Sequence, residues 1–362
     1  MLLVEKGTED ILEKAIQGRR ISKEEAYELM LSGSLFAIRE VADRLRKEKC
    51  ADFTTYVVNR NINFTNICKG SCRFCAYRVR KGDASGYLMS HKQILEMVEE
   101  AVSTGASEVC IQGGLNPNID IDYYIKILET IKSHFDIHVH AFSPMEVFYI
   151  AEKSGLGVKE TLILLKEKGL DSMPGTAAEI FDTEVREMIC PEKITAEEWT
   201  DIVKTAHRLG IPTTATMLYG HLERPEHRIN HLDVLRRLQD KTQGFTEFVP
   251  LSFIHHNTPL RRSNPEVRGA SGIDDLMVHA VSRLFLDNFR NIQASWVKLG
   301  KKLAQVTLFF GANDLGGTLM DENISRAAGQ RVEIVDEAEM RALISGAGQR
   351  PKKRDTLYRF LE

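Results

Sequence analysis

The sequence predicts an α/β fold, a (β/α)8 TIM-type barrel with an N-terminal helical extension and a C-terminal helical tail, and three observations lead there. From about residue 53 short β-branched runs alternate with longer amphipathic stretches, the pattern of parallel strands joined by crossover helices. Eight such runs are present, the number that closes a barrel. The chain has 362 residues, which suits one large barrel with additions, although two medium domains would use the same length. The expected division is 1–52 for the extension, 53–329 for the barrel and 330–362 for a helix and basic tail.

The elements follow in order. Residues 8 to about 48 read as helices: Ser22 with Glu25 forms a capping box, and Phe36, Val41 and Leu45 recur near helical spacing. Strands are expected at 55–58, 108–111, 137–140, 170–173, 213–217, 247–250, 291–294 and 305–309. Helices fit between them, for example at 91–104, 123–134, 197–209 and 226–238, each with its apolar residues on one stripe. A last helix at 337–345 precedes Gln349-Arg350-Pro351-Lys352-Lys353-Arg354-Asp355, a basic cluster expected to be a solvated terminus and a candidate dock for a partner.

Composition bounds the function. With 48 basic against 51 acidic side chains, a formal charge of -3 and 43% hydrophobic residues, the chain is of the ordinary globular class and shows no nucleic-acid bias. Met1-Leu2-Leu3-Val4 runs straight into Glu5, Lys6, Glu9 and Asp10, so no signal peptide and no membrane-spanning helix is expected there. Six cysteines in so long a chain make no disulfide scaffold, and a cytoplasmic, reducing location is expected.

Three of those cysteines carry the chemistry. Cys68, Cys72 and Cys75 stand at C-x3-C-x2-C spacing in Cys68-Lys69-Gly70-Ser71-Cys72-Arg73-Phe74-Cys75, while Cys50, Cys110 and Cys190 are scattered. Three thiolates on one short loop can bind three corners of a 4Fe-4S cluster and leave the fourth iron open. On spacing alone a zinc site stays possible, but the nearest downstream histidine, His91, lies outside the usual ligand spacing. A noncatalytic iron-sulfur carrier or scaffold also stays open, although carriers favour a fully ligated cluster.

Ligands of such barrels sit at the carboxyl ends of the strands. The cysteine loop, Gln112-Gly113-Gly114, His140-Ala141-Phe142-Ser143, Gly175-Thr176-Ala177-Ala178-Glu179, Gly220-His221 and Gly311-Ala312-Asn313-Asp314 all fall after expected strands. Glu179 offers a carboxylate suited to a ribose diol, and Arg186, seven residues on, is placed to pair with a carboxylate from the same side. His138 and His140 alternate on one strand and share a face; His140 is the better ligand candidate, and His221 is a candidate substrate contact.

The cysteine loop, with Phe74 before its last thiol, resembles the radical S-adenosylmethionine superfamily, in which the open iron holds the cofactor's methionine nitrogen and carboxylate. The resemblance implies that Gly113 and Gly114 lie along that methionyl end, with Leu115 standing where an acidic residue is often found. From about Arg60 to Gly329 the chain more narrowly resembles the tyrosine-using radical enzymes of deazaflavin and menaquinone biosynthesis. Met173-Pro174-Gly175-Thr176-Ala177-Ala178-Glu179-Ile180, Gly311-Ala312-Asn313-Asp314-Leu315-Gly316-Gly317-Thr318 and Glu322-Asn323-Ile324-Ser325-Arg326-Ala327-Ala328-Gly329 look most like the deazaflavin branch. The rival branch makes aminofutalosine and adds the radical to a different acceptor.

The resemblance implies one electron delivered to the bound sulfonium, a 5'-deoxyadenosyl radical, and hydrogen abstraction from L-tyrosine with cleavage of its Cα–Cβ bond. The 4-hydroxybenzyl group then adds to 5-amino-6-(D-ribitylamino)uracil. It also implies an electron donor and a ring-closing radical partner subunit. Tyr77, His140 and Ser143 are then candidates for holding tyrosine, and Asn313, Asp314 and Thr318 for the ribityl hydroxyls.

Overall fold

The computed structural model describes residues 7–331 and 334–361; residues 1–6, read above for a leader, lie outside the described part. Three helices open the chain at Thr8–Ile16, Lys23–Leu31 and Leu35–Cys50. The expected capping box forms: the Ser22 hydroxyl accepts the Glu25 N–H at 3.2 Å, and the Glu25 carboxylate accepts the Ser22 N–H at 2.6 Å. Both bonds satisfy backbone donors that the helix start leaves orphaned. Ile11, Leu29, Ile38 and Val41 are buried in the main apolar core, so the extension packs as part of the same body.

Eight strands follow among the described residues: β1 Phe53–Val57, β2 Asn59–Asn63, β3 Glu108–Gln112, β4 His138–Ala141, β5 Thr213–Tyr219, β6 Phe245–Ser252, β7 Asp314–Gly317 and β8 Arg350–Lys353. The ladders of these strands are parallel: β2 with β3, β3 with β4, β5 with β6, and β1 with both β7 and β8. The expected strands at 170–173 and 291–294 shrink to single bridges. Ser172 pairs with His140 and Met173 with Thr213, which links β4 to β5; Ile292 pairs with Phe248 and Gln293 with Asp314, which links β6 to β7. Only Val58 separates β1 from β2, so the parallel pairings that leave β2 come back on β1.

The expected helices form at His91–Ser103, Ile121–His134, Ala196–Arg208 and Pro225–Thr242. The last expected strand does not. Most of 305–309 lies in the helix Lys301–Thr307, and the strand in that place is β7, a glycine-rich run with little β propensity. Glycine is required there by its neighbours: a Cβ on Gly316 would stand 2.8 Å from the Gln293 side chain, and one on Gly317 would stand 2.0 Å from that of Asn59. Gly311-Ala312-Asn313-Asp314 therefore leads into a strand instead of following one.

The tail also departs from expectation. The helix forms at Glu337–Gly346, but the basic cluster after it is β8, paired with β1, and Arg354 is buried. Its guanidinium donates to both carboxylate oxygens of Asp314, at 2.6 and 3.0 Å. No helix among the described residues is long and apolar enough to cross a membrane.

Candidate active site

The cysteine loop hangs from the end of β2 by backbone bonds. Cys68 N–H donates to Val79 O at 3.0 Å and Val79 N–H to Asn66 O at 2.9 Å, so the loop turns back on itself. Arg73 N–H reaches Ile189 O at 2.8 Å, and Leu260 N–H reaches Arg73 O at 2.7 Å. This leaves the three thiols partly exposed and unbridged.

The thiols and the glycine pair face one cavity of about 180 Å³, lined also by Phe74, Tyr77 and Ser143. Gly114 lies so close to the loop that a Cβ would stand 2.4 Å from Ile67 O and 3.0 Å from the Cys68 Cβ. The Cys68 sulfur accepts N–H groups from Gly70 at 3.4 Å and Leu115 at 3.3 Å. Burial pushes the Cys72 thiol up to about 12, against the pull of Lys193. Among the described residues no three His, Cys, Asp or Glu side chains gather tightly enough to hold a single ion. Three thiols facing one cavity supply three corners of an iron-sulfur cluster and leave the fourth open.

Ser143 and Glu146 close this cavity. They form a capping box at the helix Pro144–Ser154, and the Glu146 carboxylate also accepts the Gly113 N–H at 2.9 Å. Burial holds the Glu146 pKa up despite these bonds.

A second cavity, of about 370 Å³, adjoins the first and shares Asn63, Phe74, Cys75, Gln112, Thr176 and Ile324 with it. Its walls come from alternate strand positions: Asn59, Asn61 and Asn63 on β2, and Glu108, Cys110 and Gln112 opposite them on β3. Successive side chains on a strand point to opposite faces, so the period-two polar pattern Asn-x-Asn-x-Asn was the signal that motif reading missed. Glu108 accepts from Asn59 at 2.9 Å and Thr356 at 2.6 Å.

His140 and Glu179 face this larger cavity. Burial pulls His140 down to about 4, against the attraction of Glu108, so it is a neutral ring, and its Nδ1 lies 2.7 Å from the Ser172 hydroxyl. Glu179 forms a close ion pair with Lys193, whose ammonium lies over the Phe74 ring at 5.2 Å. Burial opposes the charge on Lys193, but Glu179, Cys72 and Cys190 outweigh it and hold its pKa above the ordinary value. Ala177 and Glu179 both have left-handed backbones, at φ of 70° and 47°, strain of the kind found at ligand sites.

Five expected site residues line neither cavity. Arg186 is buried and donates to the backbone carbonyls of Ala178, Ile180 and Ile194, so it clamps the strained segment instead of pairing with a carboxylate. His221 is buried against Glu223 and the Leu218 carbonyl. Asn313 accepts from Arg283 at 2.7 Å and from Ile292 N–H at 2.9 Å, and donates to Asn291 at 3.1 Å. Asp314 is held by Arg354, Thr55 and Gly316 N–H, and Thr318 exchanges bonds with the Asn59 backbone at 2.9 and 3.1 Å. Their hydrogen-bonding capacity is spent on the scaffold.

Comparison with known proteins agrees with this layout. Residues 62–235 match the radical SAM superfamily, and residues 242–362 match the CofH/MqnC C-terminal region. A 5-amino-6-(D-ribitylamino)uracil--L-tyrosine 4-hydroxyphenyl transferase of Methanocaldococcus jannaschii is 52% identical over 95% of this chain and 98% of its own. One of Methanothermobacter thermautotrophicus is 51% identical over 98% of each chain. Among solved structures, the FeFe-hydrogenase maturase HydG from Carboxydothermus hydrogenoformans superposes with a TM-score of 0.77 at 16% identity, covering 97% of this chain and 80% of that one, a likeness of fold alone. The chain therefore belongs to the radical SAM superfamily and, within it, to the family of the 5-amino-6-(D-ribitylamino)uracil--L-tyrosine 4-hydroxyphenyl transferases, and it is a radical SAM transferase.

Proposed function

We propose that this chain cleaves the Cα–Cβ bond of L-tyrosine and joins the 4-hydroxybenzyl group to 5-amino-6-(D-ribitylamino)uracil, in deazaflavin coenzyme biosynthesis in the cytoplasm. The observation that carries the reading is the pair of adjoining cavities, one against the cysteine loop and one lined by polar strand residues, which meet at Phe74, Cys75, Gln112 and Thr176. We read the parallel pairings that return from β2 to β1 as a closed barrel, with the larger cavity at its axis. In this reading 53–329 is the barrel, flanked by the extension at 1–52 and a C-terminal part at 330–362 that supplies Arg354 and Thr356 to the cavity wall.

Cys68, Cys72 and Cys75 would hold one 4Fe-4S cluster, and Phe74, Gly113 and Gly114 would flank S-adenosylmethionine. When bound, that pair supplies a 5'-deoxyadenosyl radical. The residues of the chain do the rest by placement: the strained backbone at Ala177 and Glu179, clamped by Arg186, sets a carboxylate where ribose hydroxyls can donate to it. His140, neutral and buried, presents a polar but uncharged edge to the substrates. Tyr77 and Ser143 lie on the cofactor side, while Asn313, Asp314, Thr318 and His221 serve the scaffold. An electron donor and a ring-closing partner subunit complete the proposal.

The test is anoxic reconstitution with iron and sulfide, followed by reduction with S-adenosylmethionine, tyrosine and either the diaminouracil or the acceptor of the futalosine route. Coupled product and 5'-deoxyadenosine are expected only with the diaminouracil. Product with the other acceptor alone would move the chain to the aminofutalosine branch, and no 5'-deoxyadenosine at all would make it a carrier or scaffold.

A further inference from the structure

Two opposite charges stand on one wall of the larger cavity without neutralising each other. Lys298, in the short helix Trp296–Leu299, donates to the Ser325 hydroxyl at 2.8 Å. Glu322 accepts the N–H of the same Ser325 at 2.8 Å through one carboxylate oxygen and the Asn61 amide at 2.9 Å through the other. All four residues line the cavity. Yet among the described residues neither Lys298 nor Glu322 forms an ion pair within 4.0 Å, with each other or with any other group. Ser325 ties both down and keeps them apart.

Both side chains are half-buried, and removing an ammonium from water without a counter-charge is costly. Burial pulls the Lys298 pKa down, with Glu322, Glu179 and Cys75 opposing it, as expected of a cation awaiting an anion. Of the other cations that line the larger cavity, Arg354 holds Asp314, while Lys193, on the smaller cavity, holds Glu179; Arg78, also on the smaller cavity, meets only the Cys72 carbonyl among the described residues, at 3.5 Å. A fixed cation and a fixed anion on one wall that do not pair with each other match the two ends of an α-amino acid, whose carboxylate and ammonium are both carried by one carbon. Ile324, between Glu322 and Ser325 in the chain, and Asn63, two residues on from Asn61 along β2, line both cavities, so this wall reaches their junction, where the bond to be broken has to lie.

We propose that Lys298 receives the α-carboxylate and Glu322 the α-ammonium of the amino-acid substrate, with Ser325 and Asn61 as positioning residues. The proposal rests on the reading that tyrosine is that substrate. It replaces Tyr77, Ser143 and His140 as the anchors of the amino-acid head group and sends the phenol side chain toward the apolar wall formed by Phe253, Leu251 and Leu319.

The test is equilibrium dialysis on unreduced, cluster-loaded protein with S-adenosylmethionine present, so that binding is read without turnover. The probes are tyrosine, tyramine, which lacks the carboxylate, and 3-(4-hydroxyphenyl)propionate, which lacks the ammonium. Lys298→Met should weaken tyrosine and the propionate at least ~10-fold and leave tyramine unchanged, and Glu322→Gln should weaken tyrosine and tyramine but not the propionate. Lys298→Arg, which keeps the charge, should recover most of the tyrosine affinity and guards against a folding defect in the first variant. Equal loss of all three probes in Lys298→Met, or undiminished tyrosine binding, would overturn the anchor while tyrosine binding by the unaltered protein upheld the parent reading. Failure of the unaltered protein to bind tyrosine would overturn both.

Discussion

The cysteine loop and the segment Gly311 to Thr318 look alike as sequence and do opposite work. Both mix glycine with polar residues, and both resemble motifs of one enzyme family. In the cysteine loop the backbone makes the anchoring bonds, and the thiols are left partly exposed toward a cavity. In the second segment the side chains make the bonds: Asn313, Asp314 and Thr318 are buried and tied to Arg283, Asn291, Arg354, Thr55 and Asn59. Residue type does not separate a ligand from a strut; what separates them is whether hydrogen-bonding capacity is already committed.

The largest effect expected from this contrast is at the thiols. Cys72→Ala should abolish iron retention and 5'-deoxyadenosine formation while the thermal midpoint of the apoprotein stays within a few degrees. Iron content and calorimetry on the same sample check it; a variant that keeps its cluster would end the contrast. Gly114→Ala comes next, because its methyl group would press on Ile67 O and shift the loop. Displacement of that size costs on the order of 100-fold in rate, read as deoxyadenosine per minute per cluster.

On the committed side, Arg354→Met leaves Asp314 buried without its cation, and loss of one partner from such a pair costs roughly 3–5 kcal/mol of stability. Urea unfolding of the apoprotein should show it, since the cluster plays no part. Asn313→Ala should cost less, about 1–3 kcal/mol, because it strips neutral bonds from Ile292 and Asn291 as well as one from Arg283. The sequence alone suggests that this variant loses acceptor use and keeps cofactor cleavage. The structure predicts that both fall together with stability, and measuring the two rates at a temperature where the variant is folded decides between them.

The parts legible in the sequence share a physical reason. The capping box at Ser22, the helices and five of the eight strands depend on local pattern, and they appear close to where pattern puts them. Gln305 to Phe309 misled because Val306 and Thr307 carry β propensity that helix packing overrides, while β7 has the composition of a loop because Gln293 and Asn59 lie over its glycines. The same holds for the site. Cys68, Cys72 and Cys75 are adjacent in sequence and stand out; Lys298, Glu322 and Asn61 come from three distant segments, and only the fold brings them to one wall. Arg354 read as part of a solvated tail because nothing local reveals that Asp314 waits for it.

The smallest predicted difference, about one pH unit between two histidine variants, tests the contrast through pH. His231 belongs to the committed scaffold: it is fully buried, stacks on Phe181 at 4.0 Å and meets the Thr216 carbonyl at 2.9 Å. His140 faces the cavity. Burial pulls His231 from 6.5 down to about 3 and His140 down to about 4, where Glu108 offsets part of the penalty. In both cases the unfolded chain takes up a proton below 6.5 that the folded chain refuses. Stability is therefore full above that pH and declines as pH falls toward the folded value, with a slope of about 1.4 kcal/mol per unit per group. Glu247 runs the other way: burial raises it to about 7, so the folded chain keeps a proton that the unfolded chain has lost between 4.5 and 7. His231→Gln should accordingly reduce the acid slope down to about pH 3 and His140→Gln only down to about pH 4, measured by urea unfolding at successive pH values. A flatter profile in the cavity variant than in the scaffold variant would mean that His140 is the more deeply committed of the two, and the division drawn between cavity wall and scaffold would have to be redrawn.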